Sequence, residues 1–411
     1  MHVEQIIDIV EKHNAWRGRE CINLVASENV MSTLAKKLYL SDFMHRYNEH
    51  FEESHYQGTE YCMEIENIVK EIFGRRFQTD KVEPRPLSGG QANLIVLSAL
   101  TSPGDTVISV GLTSGAHVSH TKFGVAGILH LNEVVAVNND DLTINVDATA
   151  KIVREEKPKL IILGRSLVLF PEPLKELRSE IDSDILIVYD VAHVFGLIYV
   201  GMFQEPLEEG ADVITTSTHK TFPGPQGGLI IARKDFPEKL WKKIYYTTFP
   251  GLVYNHHIHR LPALAVTALE MNLYGKEYMM QTVRNAKRLA EELYNRGFKV
   301  LCADRGFTET HQVLIDVREF GGGAKVARIL EENNIIVTKV ALPWDSPKDA
   351  TANPSGIRIG LQEMTRYGMK DDDIPELAEF FERIICKKEN IKEKVIDFRR
   401  RFREITYCFK T

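Results

Sequence analysis

From about position 87 the chain alternates short runs of Ile, Val and Leu with longer stretches whose apolar residues follow helical spacing. Candidate strands lie at 106–110, 160–163, 185–189, 213–216 and 228–232, with helical patterns between several of them, for example at 147–156 and 173–181. Strands that are apolar on both faces need cover on both faces, and strands joined through helices run parallel. The alternation therefore predicts an α/β fold with a mostly parallel sheet, in which binding groups gather at the carboxyl ends of strands.

After about position 273 the texture changes. An amphipathic pattern over 277–296 stops at Gly297, a helix C-cap signal. Beyond it come apolar runs at 299–302, 312–317, 335–340 and 356–360, a helical pattern at 324–332, a charged helix at 373–387 and a weakly patterned, charged tail. These predict a smaller α+β domain at 274–411, after a large domain at 44–273. Ile6, Ile7, Ile9 and Val10 give the stretch 1–43 an apolar helical face.

Composition narrows the function classes. With 411 residues, 44% hydrophobic and 26% charged, the chain is neither disordered nor a small disulfide scaffold. A net charge of −6 supplies no global basic field, so neither nucleic acid nor a membrane surface is an expected partner. The most apolar stretch, 185–203, is interrupted by Asp190 and His193 and is too short of the ~18 apolar residues of a spanning helix. Five scattered cysteines without a C-x-x-C pair point to a reducing compartment and to no cysteine metal cluster. Acids from Glu4 onward leave no secretory n-region, and a cytoplasmic protein is expected.

Three short segments carry chemistry. Lys220 follows a strand and four hydroxyl residues and precedes a Gly-rich turn, Gly224-Pro225-Gln226-Gly227-Gly228. An amine held there by a rigid element and partly desolvated can lose its proton and form a Schiff base with a carbonyl. Asp190 ends a nearly all-apolar strand, where a carboxylate is costly without a cationic partner. The protonated pyridine nitrogen of pyridoxal phosphate (PLP) is such a partner. Ser88-Gly89-Gly90 opens an apolar helix, and small residues at a helix start leave backbone N–H groups open to an anion such as phosphate. Each segment alone is ordinary; the three in this order are far more specific.

The set resembles fold-type I PLP enzymes, and the surrounding words are similar to the serine hydroxymethyltransferase family. Matching segments include Asn23-Leu24-Val25-Ala26-Ser27-Glu28-Asn29, Arg46-Tyr47-Asn48-Glu49, Tyr56-Gln57-Gly58-Thr59-Glu60-Tyr61, Ser88-Gly89-Gly90-Gln91-Ala92-Asn93, Gly115-Ala116-His117, Asp190-Val191-Ala192-His193, Thr218-His219-Lys220-Thr221 and Ser355-Gly356-Ile357-Arg358-Ile359-Gly360. The wording at Phe249-Pro250-Gly251, Asn255-His256-His257 and Leu342-Pro343-Trp344-Asp345 looks most like archaeal members.

The resemblance implies an aspartate aminotransferase-like large domain and reversible conversion of serine to glycine, with the one-carbon unit passed to a reduced pterin, tetrahydrofolate or tetrahydromethanopterin. It implies that Lys220 carries PLP, with His219 beside it among the catalytic groups. Asp190 would pair with the pyridine nitrogen and His117 would stack on the ring. Ser88, Gly89, Gly90, Ser166, His193, Ser217, Tyr47 and Gly251 would complete cofactor binding, Tyr47 from the neighbouring subunit. Arg358 would clamp the substrate carboxylate, a task suited to a planar guanidinium. Ser27 and Tyr56 would orient the amino acid, and Glu49 would transfer the proton. A homodimer or higher homo-oligomer follows from the same likeness.

Some residues depart from the family pattern. Gly90 stands where many members carry a hydroxyl, Gln226 where bacterial and eukaryotic members carry arginine, Leu252 where a glycine continues, and His55 where a tyrosine precedes Tyr56. These departures, with the Trp344 segment, leave open a PLP-dependent threonine aldolase or transaldolase using an aldehyde acceptor. A noncatalytic PLP-binding protein is a third reading. His256, His257 and His259 cluster without an H-E-x-x-H motif, which points to a subunit contact or a place near the cofactor and not to a metal site.

Overall fold

A computed structural model describes residues 2–51 and 53–410. They form two compact units, one of residues 29–276 with 408–410, the other of residues 2–28 with 277–407.

The larger unit is built on seven strands: β1 (Val82–Glu83), β2 (Thr106–Ser109), β3 (Asn132–Val135), β4 (Leu160–Leu163), β5 (Leu186–Asp190), β6 (Val213–Ser217) and β7 (Gly228–Ala232). Their order is β1-β7-β6-β5-β4-β2-β3. The run from β3 through β6 is parallel; β7 and β1 are antiparallel additions at one side. Every residue of β4 to β7 is buried, so these strands begin as apolar runs, broken only by Asp190 at the end of β5 and by Thr215, Thr216 and Ser217 at the end of β6. Edge strand β3 has no buried residue and carries no such run. Helix Gly89–Leu100 covers one face, packing Ile95, Val96 and Leu97 with Val107, Ile162, Val188, Val213 and Ile230. Full burial of such side chains is worth about 1.5–3 kcal/mol each.

In the smaller unit, strands Thr338–Val340, Gly356–Gly360, Gln312–Asp316 and Lys299–Val300 make an antiparallel sheet in that order. Ile22–Asn23 pairs in parallel with Ile335–Ile336, which ties the N-terminal residues into this unit. Ile22 and Leu24 are buried with Leu293, Val313, Ile357, Leu377 and Phe381.

Three expectations are corrected. The helix expected over 277–296 begins at Arg260 and ends at Asn295. Its first turns bury Leu261, Ala263, Leu264, Ala265, Ala268 and Met271, so no amphipathic stripe marks them. The run 335–340 is two strands in two different sheets. The weakly patterned tail holds a helix, Lys392–Arg399, that buries Val395, Ile396 and Phe398. Among the described residues no helix is long and apolar enough to cross a membrane.

Candidate active site

Strand β6 ends at Ser217 and feeds a tight loop. Thr218 Oγ1 donates to Pro225 O at 2.6 Å, Thr218 N to Gly227 O at 3.2 Å and Gly224 N to Thr218 O at 2.9 Å. Lys220 lies inside this loop, and its carbonyl accepts from Asn29 Nδ2 at 2.6 Å. Thr221 Oγ1 donates to His193 O and accepts from Gly196 N, both at 2.9 Å, which joins the lysine loop to the turn after β5. The main chain of Lys220 is therefore fixed from both sides. Burial, reinforced by the neighbouring Lys220 charge, pushes the His219 imidazole down to about 4, so it is neutral near pH 7.

Asp190 closes β5 beside Thr215 of β6. Its Oδ1 accepts from Ala192 N at 3.0 Å; its Oδ2 accepts from Asn93 Nδ2 at 2.8 Å and faces His120 Nε2 at 3.0 Å. Thr215 Oγ1 donates to Asn93 Oδ1 at 2.6 Å and so orients that amide. Burial opposes charge on Asp190, but His120, the Lys220 charge and Asn93 outweigh it and hold the carboxyl well below its ordinary value. His120 and Asn93 were not assigned a role from the sequence. His120 lies three positions beyond His117 in a segment without periodic pattern, and its partner is 70 residues away. His117 is half-buried, its Nδ1 2.7 Å from Ser119 Oγ, and burial lowers its pKa. Ser166 N donates to Gly115 O at 2.6 Å, so the Ser166 and His117 loops are held together.

Ser88 caps helix Gly89–Leu100, its Oγ accepting from Gln91 N at 3.1 Å while Ser88 O accepts from Ala92 N at 3.0 Å. Gly89 rests against the end of β6: a Cβ there would stand 2.5 Å from Ser217 Oγ. Gly90 opens on space, with Ser88 Oγ the nearest atom to a built Cβ at 3.9 Å. Gln91 donates to Leu252 O at 3.0 Å, placing the 251–252 turn beside this helix start; Gly251 and Gln226 are exposed. Gly89 and Gly90 thus put no side chain over the first turn of the helix, with Gly89 packed at the end of β6.

Tyr47, Glu49 and Tyr56 come together elsewhere on the unit. The rings of Tyr47 and Tyr56 lie 5.6 Å apart, and Tyr56 bonds to Glu49. Limited desolvation, then the negative charge of Glu49, raises the Tyr56 phenol above its ordinary value. Tyr47 and Tyr56 are 53% and 42% exposed. The histidine cluster divides: His256 is buried against Glu66, whereas His257 and His259 stack with ring centroids 6.0 Å apart. Among the described residues no group of three or more His, Cys, Asp or Glu is arranged to hold a metal ion.

In the smaller unit Arg358 sits mid-strand in Gly356–Gly360, 5% exposed, with its pKa pushed down to about 10 by burial. Gly360 N donates to Leu24 O at 2.8 Å, and a Cβ on Gly360 would meet Ala26 Cα at 2.4 Å. Gln362 Nε2 donates to Val25 O and Glu28 O at 2.8 and 2.7 Å. The turn carrying Ser27 is thereby bound to the strand carrying Arg358.

A solved structure of L-threonine transaldolase from Pseudomonas fluorescens superposes with a TM-score of 0.91 at 28% identity, covering 99% of this chain and 93% of that one. The fold is that of a fold-type I PLP-dependent enzyme. A family model described as serine hydroxymethyltransferase matches residues 1–381. The serine hydroxymethyltransferases of Staphylothermus marinus and Aeropyrum pernix are 49% and 48% identical, over 99% and 98% of this chain and 93% of each relative. The chain belongs to the serine hydroxymethyltransferase family, and the family implies PLP as cofactor.

Proposed function

We propose that the chain interconverts serine and glycine, passing the hydroxymethyl carbon to a reduced pterin, with Lys220, Asp190 and Arg358 as its central residues. The family match over residues 1–381 carries the reading. The donor set fits PLP. Asp190 stays ionised at a buried strand end, suited to a protonated ring nitrogen. The Ser88–Gly90 helix start carries no side chain beyond Ser88 and would take the phosphate on its backbone N–H groups, with Gly90 lending an amide in place of a hydroxyl.

When bound, the cofactor supplies an electrophilic carbon and a ring that takes up the electrons of a breaking bond at Cα. The protein's own groups do the rest. Lys220 offers its amine from a main chain fixed on both sides. Asp190, oriented by Asn93 and His120, holds a proton on the ring nitrogen. Neutral His219 accompanies Lys220 without adding positive charge. His117 would stack on the ring, and Ser166, His193, Ser217 and Gly251 would help to hold the cofactor. Arg358 would bind the substrate carboxylate, and Ser27 and Tyr56 would orient the amino acid. Glu49 moves the proton at the hydroxymethyl oxygen, a kind of step worth about 10²–10⁴-fold. Tyr47, largely exposed in the single chain, reaches the cofactor of a second copy, and the enzyme works as a homodimer or higher homo-oligomer.

Lys220→Ala tests the core of this reading: turnover and the visible absorbance of bound cofactor should both vanish, and a variant retaining both refutes it. The transaldolase neighbour favours a second reading, an aldehyde acceptor. Serine, threonine and allo-threonine, each assayed without pterin, with tetrahydrofolate and with tetrahydromethanopterin, separate the two. Pterin-dependent serine cleavage supports the first reading, and fast pterin-independent threonine cleavage the second.

A further inference from the structure

Glu49 and Tyr56 belong to a stretch between the turn Asp42–His45 and helix Glu60–Phe77. Among its described residues the backbone pairing is slight: an isolated bridge of His50 with Ser54 and a bond from His55 N to Glu49 O at 2.9 Å. A side chain provides much of the anchorage. The His50 ring is 2% exposed, its Nδ1 2.9 Å from Phe51 O and its Nε2 3.0 Å from Glu66 Oε2.

Glu66 is wholly buried on helix Glu60–Phe77. It meets Lys70 Nζ at 2.6 Å and His256 Nε2 at 3.3 Å as well as His50. Burial works against its charge, yet the bond from His50 and the Lys70 charge outweigh it and keep the carboxyl well below its ordinary value. Both ring nitrogens of His50 thus face acceptor oxygens of the protein, one on the adjoining main chain and one on helix Glu60–Phe77. The main chain is held as well: Arg85 Nη1 donates to His50 O at 3.4 Å, and Tyr245 Oη donates to Phe51 O at 2.8 Å. Arg85 is itself paired with Glu83 in the buried interior. Such a cluster of buried charges is costly to assemble, and the reaction as derived above makes no use of it.

We infer that His50, clamped by Glu66, is a positioning residue that sets the adjoining Glu49 carboxylate and its partner Tyr56 in place for proton transfer. The inference rests on Glu49 being the proton-transfer group. His50 follows Glu49 directly in the chain, so its ring cannot leave the Glu66 site without turning the peptide that carries the carboxylate.

The test uses the holoenzyme with His50→Ala, Glu66→Gln, and His50→Gln, which keeps a donor toward Glu66. Expected in the first two is a fall in kcat of about 10- to 100-fold, the scale of an ångström-sized misplacement. The KM for serine should stay within about twofold, since Arg358 and Ser27, which the clamp does not touch, still bind the substrate. Absorbance and dissociation constant of the cofactor should be unchanged, amide hydrogen exchange in a peptide spanning 46–58 should quicken, and His50→Gln should recover part of kcat. Unchanged kcat in both His50→Ala and Glu66→Gln overturns the inference, as does loss of cofactor affinity in step with kcat. Glu49→Gln runs alongside. If it keeps full kcat, the assignment of Glu49 fails; if it loses transfer while His50→Ala does not, the clamp fails alone.

Discussion

Asp190 keeps its charge where burial alone would remove it, because three neighbours oppose the desolvation: His120 at 3.0 Å, the Lys220 charge, and Asn93 at 2.8 Å. The sign of a perturbation follows. Removing His120 takes away an influence that lowers the carboxyl's pKa, so protonation of Asp190 moves to higher pH. His120→Leu should shift the acid limb of the bound-cofactor absorbance curve upward and reduce kcat, by no more than about 100-fold since no reacting group is lost. An acid limb identical to that of the natural protein refutes the coupling. Asp190 was legible in the sequence because it ends a nearly all-apolar strand, where a charged side chain stands out, and Lys220 because it stands between four hydroxyl residues and a Gly-rich turn just after another strand. His120 and Asn93 were not legible as their supports, because what distinguishes them is spatial: a hydrogen bond to a strand end far along the chain.

At the scale of elements, the start of helix Gly89–Leu100 shows two adjacent glycines with opposite requirements. At Gly89 a Cβ would stand 2.5 Å from Ser217 Oγ and 3.2 Å from Ser217 N, so the helix start would have to move away from β6. Gly89→Ala should weaken cofactor binding by about tenfold or more, read by absorbance titration. At Gly90 nothing lies closer than Ser88 Oγ at 3.9 Å, so Gly90→Ala should bind the cofactor normally. It should also gain about 0.4–1 kcal/mol of stability, because alanine restricts the unfolded chain more than glycine does. Equal loss of cofactor affinity in the two variants refutes the distinction. The strands that carry the site were readable because β4 to β7 are buried along their whole length and so mostly apolar, with polar residues gathered at the carboxyl ends of β5 and β6. The start of helix Arg260–Asn295 was hidden for a related reason: burial on most sides erases the stripe by which a helix is recognised.

At the scale of the whole molecule, one carboxylate in the smaller unit contributes a pH dependence of stability that can be isolated, in a region where two-residue strands too short for any periodic signal bring Ile22–Asn23 to Ile335–Ile336. Asn23 Nδ2 donates to Glu363 Oε1 at 2.8 Å, and Glu363 is 5% exposed. Burial pushes its carboxyl up to about 7; the Asn23 bond opposes this, and the nearby Glu28 charge adds to it. The folded value thus lies above the ordinary 4.5 of the unfolded chain. Between those two values the native state binds more protons than the unfolded state, so stability falls as pH rises through the window and stays low above it. Glu363→Gln keeps the shape and removes the titration. Relative to the natural protein, its Tm should be close at about pH 4 and higher by on the order of 5 °C at about pH 8. The difference between the two melting curves isolates Glu363 from every other titrating group. A difference that does not vary with pH means that this carboxyl titrates alike in the folded and unfolded chains, and the burial argument for it fails.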